Sequence, residues 1–373
     1  MISYFKIKNT DLVSPPEDWK TSGWEGILVS HLVLSLPVTD VCEQIDEYLS
    51  THQLHKIMFD FHSEGFQKEI IHYMNEVVKK LVTEYNGYTK DMFYYYTGTM
   101  SIQANVDSYD LLMFDFLPKN ILLSNNFSVP YFNNRIDRQL EINTKLKKFL
   151  SMNGNPRTNR RVALSWLTKR NLLDKAFYSF DSTYLPEKNE NNENNPLLQK
   201  YNSIVEDLDS TSMIQPMILS KTHGDYSIDD RIIEEDVYYF DNSYFSLVQE
   251  TFYDNTLDWS TCDIAFYECI FITEKTYRPI YFKHPFITLG VKGSLSGLRE
   301  YGFKTFSPYF DESYDEIDDP VLRIETALNE VKRLCSLSDE EWLSIQRDLL
   351  PIVEYNYNLL TSESFRILLG KRK

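Results

Sequence analysis

At 373 residues, with 42% hydrophobic and 14% aromatic content, the chain has the composition of a globular protein and is long enough for two domains with separate cores. Thirty-eight Lys and Arg against 55 Asp and Glu give a net charge of −17, which excludes nonspecific binding of nucleic acid by the whole surface. No apolar run reaches the roughly 18 residues of a membrane span, and the start lacks the basic, apolar, small-residue order of a signal peptide, so a cytoplasmic location is expected. Cys42, Cys262, Cys269 and Cys335 have no metal-ligand spacing and are expected to be buried free thiols.

In chain order, residues 1–36 hold two apolar segments, 2–7 and 26–36. Thr39 and Asp40 are good N-caps for a helix with Val41, Ile45, Tyr48 and Leu49 on one face. Residues 55–61 read as a strand followed by a polar turn, and Phe66, Ile70, Met74, Val77, Val78, Leu81 and Tyr85 recur at helical spacing until Asn86 and Gly87. Two further strands are expected at 92–97 and 120–124. This alternation predicts a Rossmann-like first domain over residues 1–144.

The second domain is expected over 145–335, starting with a strand at 147–153, a turn and a helix at 160–172. Between Glu141 and Asp174 there is no acidic residue, while Lys145, Lys147, Lys148, Arg157, Arg160, Arg161, Lys169 and Arg170 all fall there. A strand, polar turn and arginine-bearing helix start make a sound phosphate cradle, because backbone N–H groups and the helix dipole add to the guanidinium forks. A solvated basic helix face is the plainer reading, and the missing acids count against it.

Residues 181–200 are polar and of low complexity. Asp207 and Asp209 form a D-x-D spacing that can hold a divalent cation. Strands are read at 237–240 and 244–250. Glu250 lies a loop before Thr273, Glu274 and Lys275, so both can converge on one nucleotide: Glu274 accepts from ribose hydroxyls and Lys275 meets phosphate. A short helix follows until Pro285, then a strand at 286–289, a turn through Gly290 and Gly293, and a helix at 295–301. His284 reads as a packing residue, and Asp311 and Asp315 either orient a sugar or cap a loop. Residues 322–335 are helical, Ser338 to Glu341 form a capping box, and Pro351 is expected to kink or restart the last helix.

Glu250 and Thr251 followed by T-E-K at 273–275 resemble the "EN…TEK" signature of α1,3-fucosyltransferases, and Arg278-Pro279-Ile280, Pro285-Phe286 and the glycine-to-phenylalanine block 293–306 extend the likeness. The ordered set is still more similar to a phage and bacterial glycosyltransferase-like family. The resemblance covers residues 145–180 and 240–325. It implies a GT-B-like α/β fold, two Rossmann-like domains facing across a cleft, with C-terminal helices over 336–373 packing back on the first domain. It implies an inverting glycosyltransferase that uses a nucleotide-diphosphate sugar, needs no metal or other cofactor, and works in the host cytoplasm if phage-encoded. On the same resemblance Arg157, Arg160 and Arg161 meet the donor diphosphate and Asn153 shapes the turn.

Lys275 and the arginines would stabilise the diphosphate leaving group, assisted by Arg278. A base from the first domain would take the acceptor proton; Glu64, at the carboxyl end of a strand, is the first candidate, with His62 and Asp60 as alternatives. The expected acceptor is a glycan or a hydroxymethylated pyrimidine in phage DNA. A non-catalytic sugar-nucleotide-binding protein is the alternative from a different class.

Overall fold

The computed structural model describes residues 2–4, 26–30, 36–51, 57–61, 68–97, 120–123, 140–153, 158–180, 230–250, 253, 270 and 272–362. The chain divides into two compact units, Met1–Ser128 with Arg366–Lys373, and Val129–Phe365. Both are α/β.

In the first unit, strands β1 (Ile2–Tyr4), β2 (Gly26–Ser30), β3 (Ile57–Phe61), β4 (Phe93–Thr97) and β5 (Asn120–Leu123) form a five-stranded sheet in sequential order, with every neighbouring pair parallel. Parallel neighbours need crossovers, and helices α1 (Val38–Thr51) and α2 (Lys68–Glu84) supply two of them. Of the apolar stripes seen in sequence, Val41 and Ile45 of α1 and Met74, Val77, Val78 and Leu81 of α2 are fully buried, Cys42 joins them, and Tyr48 and Leu49 are half-buried. Tyr88, after the end of α2, donates to Asp46 of α1 at 3.0 Å and stacks on Phe93 of β4. The order of the described strands never reverses, so it lacks the switch point that defines a doubly wound Rossmann sheet.

The second unit is built on β6 (Lys147–Ser151), β7 (Ala176–Tyr178), β8 (Ser243–Gln249) and β9 (Phe286–Leu289), all parallel, in the order β7-β6-β8-β9. Helices α3 (Thr158–Lys169), α4 (Asp230–Asp241), α5 (Glu274–Tyr281), α6 (Ser294–Glu300), α7 (Pro320–Ser336) and α8 (Asp339–Leu360) accompany it. Every residue of β8 is buried, as expected for a central strand covered on both faces. Gly293 caps α6 at φ 80°, a left-handed conformation that glycine adopts without strain.

Two expectations change. Residues 237–240 are the end of helix α4, not a strand; Asp236 and Phe240, one turn apart, are buried while Tyr238 between them is 52% exposed, and a four-residue apolar run cannot show that period by itself. Of the two expected effects of Pro351, a restart is not seen: α8 runs continuously through it. Helix α8 belongs to the second unit. Trp342 of α8 is fully buried, stacks on Tyr244 and Phe245 at centroid distances of 4.7 and 5.6 Å, and donates its indole N–H to the Leu334 carbonyl at 3.1 Å. The capping box starts this helix as read, with Ser338 N donating to Glu341 at 2.7 Å and Glu341 N to Ser338 Oγ at 3.2 Å.

Trp342→Ala is therefore expected to remove about 3–5 kcal/mol of stability in urea unfolding followed by circular dichroism. Cys42 and Cys335 are free and buried, and burial pushes both thiols up to about 12. Neither should be alkylated by iodoacetamide at pH 8 in the native protein, and both should be after denaturation, as read by peptide mass mapping.

Candidate functional site at the strand-order reversal

The order of the second sheet reverses between β6 and β8. The chain leaves β6 for β7 on one side, and leaves β8 for β9 on the other. At such a point the two outgoing connections diverge and open a crevice beyond the carboxyl ends of the strands. The residues gathered there come from the end of β6, the first turn of α3, the end of β8 and the start of α5.

Ser151 closes β6. Its hydroxyl donates to the Leu247 carbonyl at 2.8 Å and accepts from Asn153 Nδ2 at 3.0 Å and Gln249 Nε2 at 3.2 Å. Asn153 is buried and its backbone N–H donates to Ser179 Oγ at 2.8 Å, so it shapes the turn leaving the strand. Gln249 also donates to Tyr178 OH at 3.1 Å. Burial pushes the Tyr178 phenol above its ordinary range, against the Gln249 hydrogen bond and the charge of Arg160.

Arg160 lies in the first turn of α3, 3% exposed, and donates from Nη2 to the Gln249 carbonyl at 3.3 Å. Beside it, Asn159 donates to the Glu250 carbonyl at 3.2 Å. Arg161 is half-buried on the same turn. Arg157 lies outside the described residues.

The Glu250 side chain is fully buried, with its carboxylate turned to the head of α5. Oε1 accepts from Thr273 N at 3.0 Å and Thr276 Oγ1 at 2.6 Å, and Oε2 accepts from Thr273 Oγ1. Thr273 is the N-cap of α5, and its hydroxyl oxygen accepts from Lys275 N and Lys275 Nζ, each at 3.3 Å. Glu274 opens the helix; its side chain lies outside the described residues. Arg278, one turn on, sits 3.6 Å from the buried Asp236 carboxylate of α4, with Nη1 3.6 Å from Met152 Sδ at the end of β6.

Thus Asn153, Arg160, Glu250, Thr273, Lys275 and Arg278 belong to one strand-end region, while Asp60 lies on β3 of the other unit. His62, Glu64, Asp207 and Asp209 lie outside the described residues. Sequence reading missed Ser151, Asn159, Tyr178, Asp236, Gln249 and Thr276; for Thr276 a signal existed, a second threonine three residues after the N-cap. The basic stretch splits between the two ends of β6. At the amino end, Lys147 donates to the Asp174 carbonyl at 2.6 Å and Lys148 pairs with Asp339 at 2.8 Å. Arg170 lies over the Trp166 ring at 3.8 Å.

Asp315 is a cap: it accepts from Leu295 N and Ser296 N, both at 3.0 Å, and burial raises its carboxyl above the usual range against those bonds. Asp311 accepts from Ser313 N at 2.9 Å. Among the described residues no His, Cys, Asp and Glu cluster suits a metal, and no helix is long and apolar enough to cross a membrane. No protein-family model, curated protein or solved structure matches the chain.

His284 packs as read. Nε2 lies 2.9 Å from the Ser243 carbonyl and must donate, which leaves Nδ1 to accept from Ser246 Oγ at 2.8 Å. His284→Ala is expected to cost about 1–3 kcal/mol in denaturant unfolding, and Ser246→Ala added to it should cost less than the two separate losses summed.

Proposed function

We propose that the protein is a glycosyltransferase whose second unit binds a nucleotide-diphosphate sugar at the reversal between β6 and β8. The observation that carries this reading is the attachment of two cationic arms to one dipeptide: Arg160 hydrogen-bonds the carbonyl of Gln249, and Lys275 is linked through Thr273 to the carboxylate of Glu250. Cations from two helix starts beside a parallel strand end suit a diphosphate, whose charge grows as the glycosidic bond breaks. The resemblance of the T-E-K segment to α1,3-fucosyltransferases supports the same reading and extends it to a GT-B arrangement, inversion at the sugar carbon and transfer without a metal.

In this mechanism Arg160 and Lys275 hold the leaving diphosphate, with Arg161 and Arg157 as further donors. Glu274 accepts from the ribose, and Glu64, or His62 or Asp60, takes the proton of the acceptor hydroxyl. The acceptor is a glycan or a hydroxymethylated pyrimidine in DNA. A sugar-nucleotide-binding protein without transfer is the second reading, favoured by the fact that every described donor-site residue belongs to one unit.

A thermal-shift panel of UDP, GDP, CMP and dTDP, repeated with EDTA, tests the donor site. One diphosphate should raise the melting temperature equally with and without chelator. Lys275→Ala and Arg160→Ala should each remove most of that shift, and retention of the full shift in both would remove the phosphate assignment. Glu64→Gln should spare donor binding and abolish transfer; unchanged biological activity would favour the binding protein.

A further inference from the structure

We infer that Glu250 is a positioning residue whose carboxylate locks the lysine-bearing helix start beside the arginine held by the same strand end, giving one preformed anion site, and that it does not contact the nucleoside. The inference rests on the donor-site reading above and assigns the origin of that site's rigidity.

An ordinary capping box closes on itself: the side chain at the third helical position reaches back to the N-cap N–H, and the N-cap side chain reaches forward. At α5 the third position is Thr276, whose hydroxyl is too short for that task. Glu250, from the end of β8, takes it over. Its Oε1 accepts both the N-cap N–H of Thr273 and the Thr276 hydroxyl, and its Oε2 accepts the Thr273 hydroxyl. The helix start is thereby tied to the end of a central strand.

The same dipeptide holds the other arm. The carbonyls of Gln249 and Glu250 accept from Arg160 and Asn159 in the first turn of α3, at 3.3 and 3.2 Å. Two residues of one strand end therefore set where both helix starts lie. A ribose diol has no access to this carboxylate: Glu250 is fully buried, and a diol would have to displace the threonine donors, leaving them unpaired. Groups held in this way need no reorganisation when a diphosphate arrives, which is the condition for strong electrostatic binding.

The test uses the full chain and calorimetric titration with inorganic pyrophosphate, UDP and GDP. The proteins are wild type, Glu250→Gln, Thr276→Val and Thr276→Ser, with the unliganded melting temperature recorded for each. Thr276 is itself fully buried and cannot touch a ligand, so it reads the clamp alone. Supporting partners of this kind typically change affinity by about 10- to 100-fold. Glu250→Gln and Thr276→Val should each weaken pyrophosphate and the bound nucleotide by the same factor of about ten, and Thr276→Ser should stay near wild type. If Glu250→Gln weakened the nucleotide but spared pyrophosphate, Glu250 would be a nucleoside ligand and the inference would fall. Unchanged pyrophosphate affinity in Thr276→Val would overturn the clamp while leaving the donor site standing. Wild-type protein that bound neither pyrophosphate nor either nucleotide would overturn the donor-site reading itself, and the clamp with it.

Discussion

A buried carboxylate is costly unless its oxygens are hydrogen-bonded, and Glu250 meets that demand with three donors from the head of α5. The arrangement works in both directions. The donors make burial of the charge tolerable, and the charge keeps Thr273 and Thr276, and with them Lys275, in one orientation. Since Gln249 and Glu250 also anchor the first turn of α3 through their carbonyls, the region where the strand order reverses depends on this one strand end. Removing the carboxylate would leave buried hydroxyl and amide donors unpaired, a larger loss than the net worth of the bonds themselves.

The opposite end of the sheet is stabilised by different means. Trp342 fills the space against Tyr244, Phe245 and Phe310, and the Tyr244 hydroxyl donates to Asp339 at 3.0 Å. Lys148 lies 2.8 Å from the same carboxylate, and these two hydrogen bonds, that of Lys148 first, hold Asp339 below its usual range. Thus β6 carries cations at both ends with different tasks. The lysine at its start is paired with Asp339 of α8, far away in sequence, while the arginine in the helix after its end donates to the Gln249 carbonyl.

The two units share parallel strands and differ in order. Sequential order gives the first sheet no divergence of outgoing connections among the described strands, whereas the β7-β6-β8-β9 order creates one in the second. The residues Asn153, Arg160, Glu250 and Lys275 lie beside that reversal in the second unit.

Features that depend on neighbours within a few residues were legible from the amino-acid order. The strand 286–289 after Pro285, the turn through Gly293, the Ser338 capping box and most of the stripes of α1 and α2 appear as read, because caps, proline sterics and helical periodicity act locally. The gathering of Asn153, Arg160 and Lys275 followed from the resemblance and not from any local rule of the amino-acid order. Local order could not decide that 237–240 is helical, since burial of Asp236 and Phe240 is set by what lies beneath them. Nor could it decide that Glu250 faces Thr273 and Thr276 in place of solvent or ligand. That choice depends on parallel pairing of β8 with β9, which brings residues more than twenty positions apart into contact, and only the assembled sheet determines which donors reach a buried carboxylate.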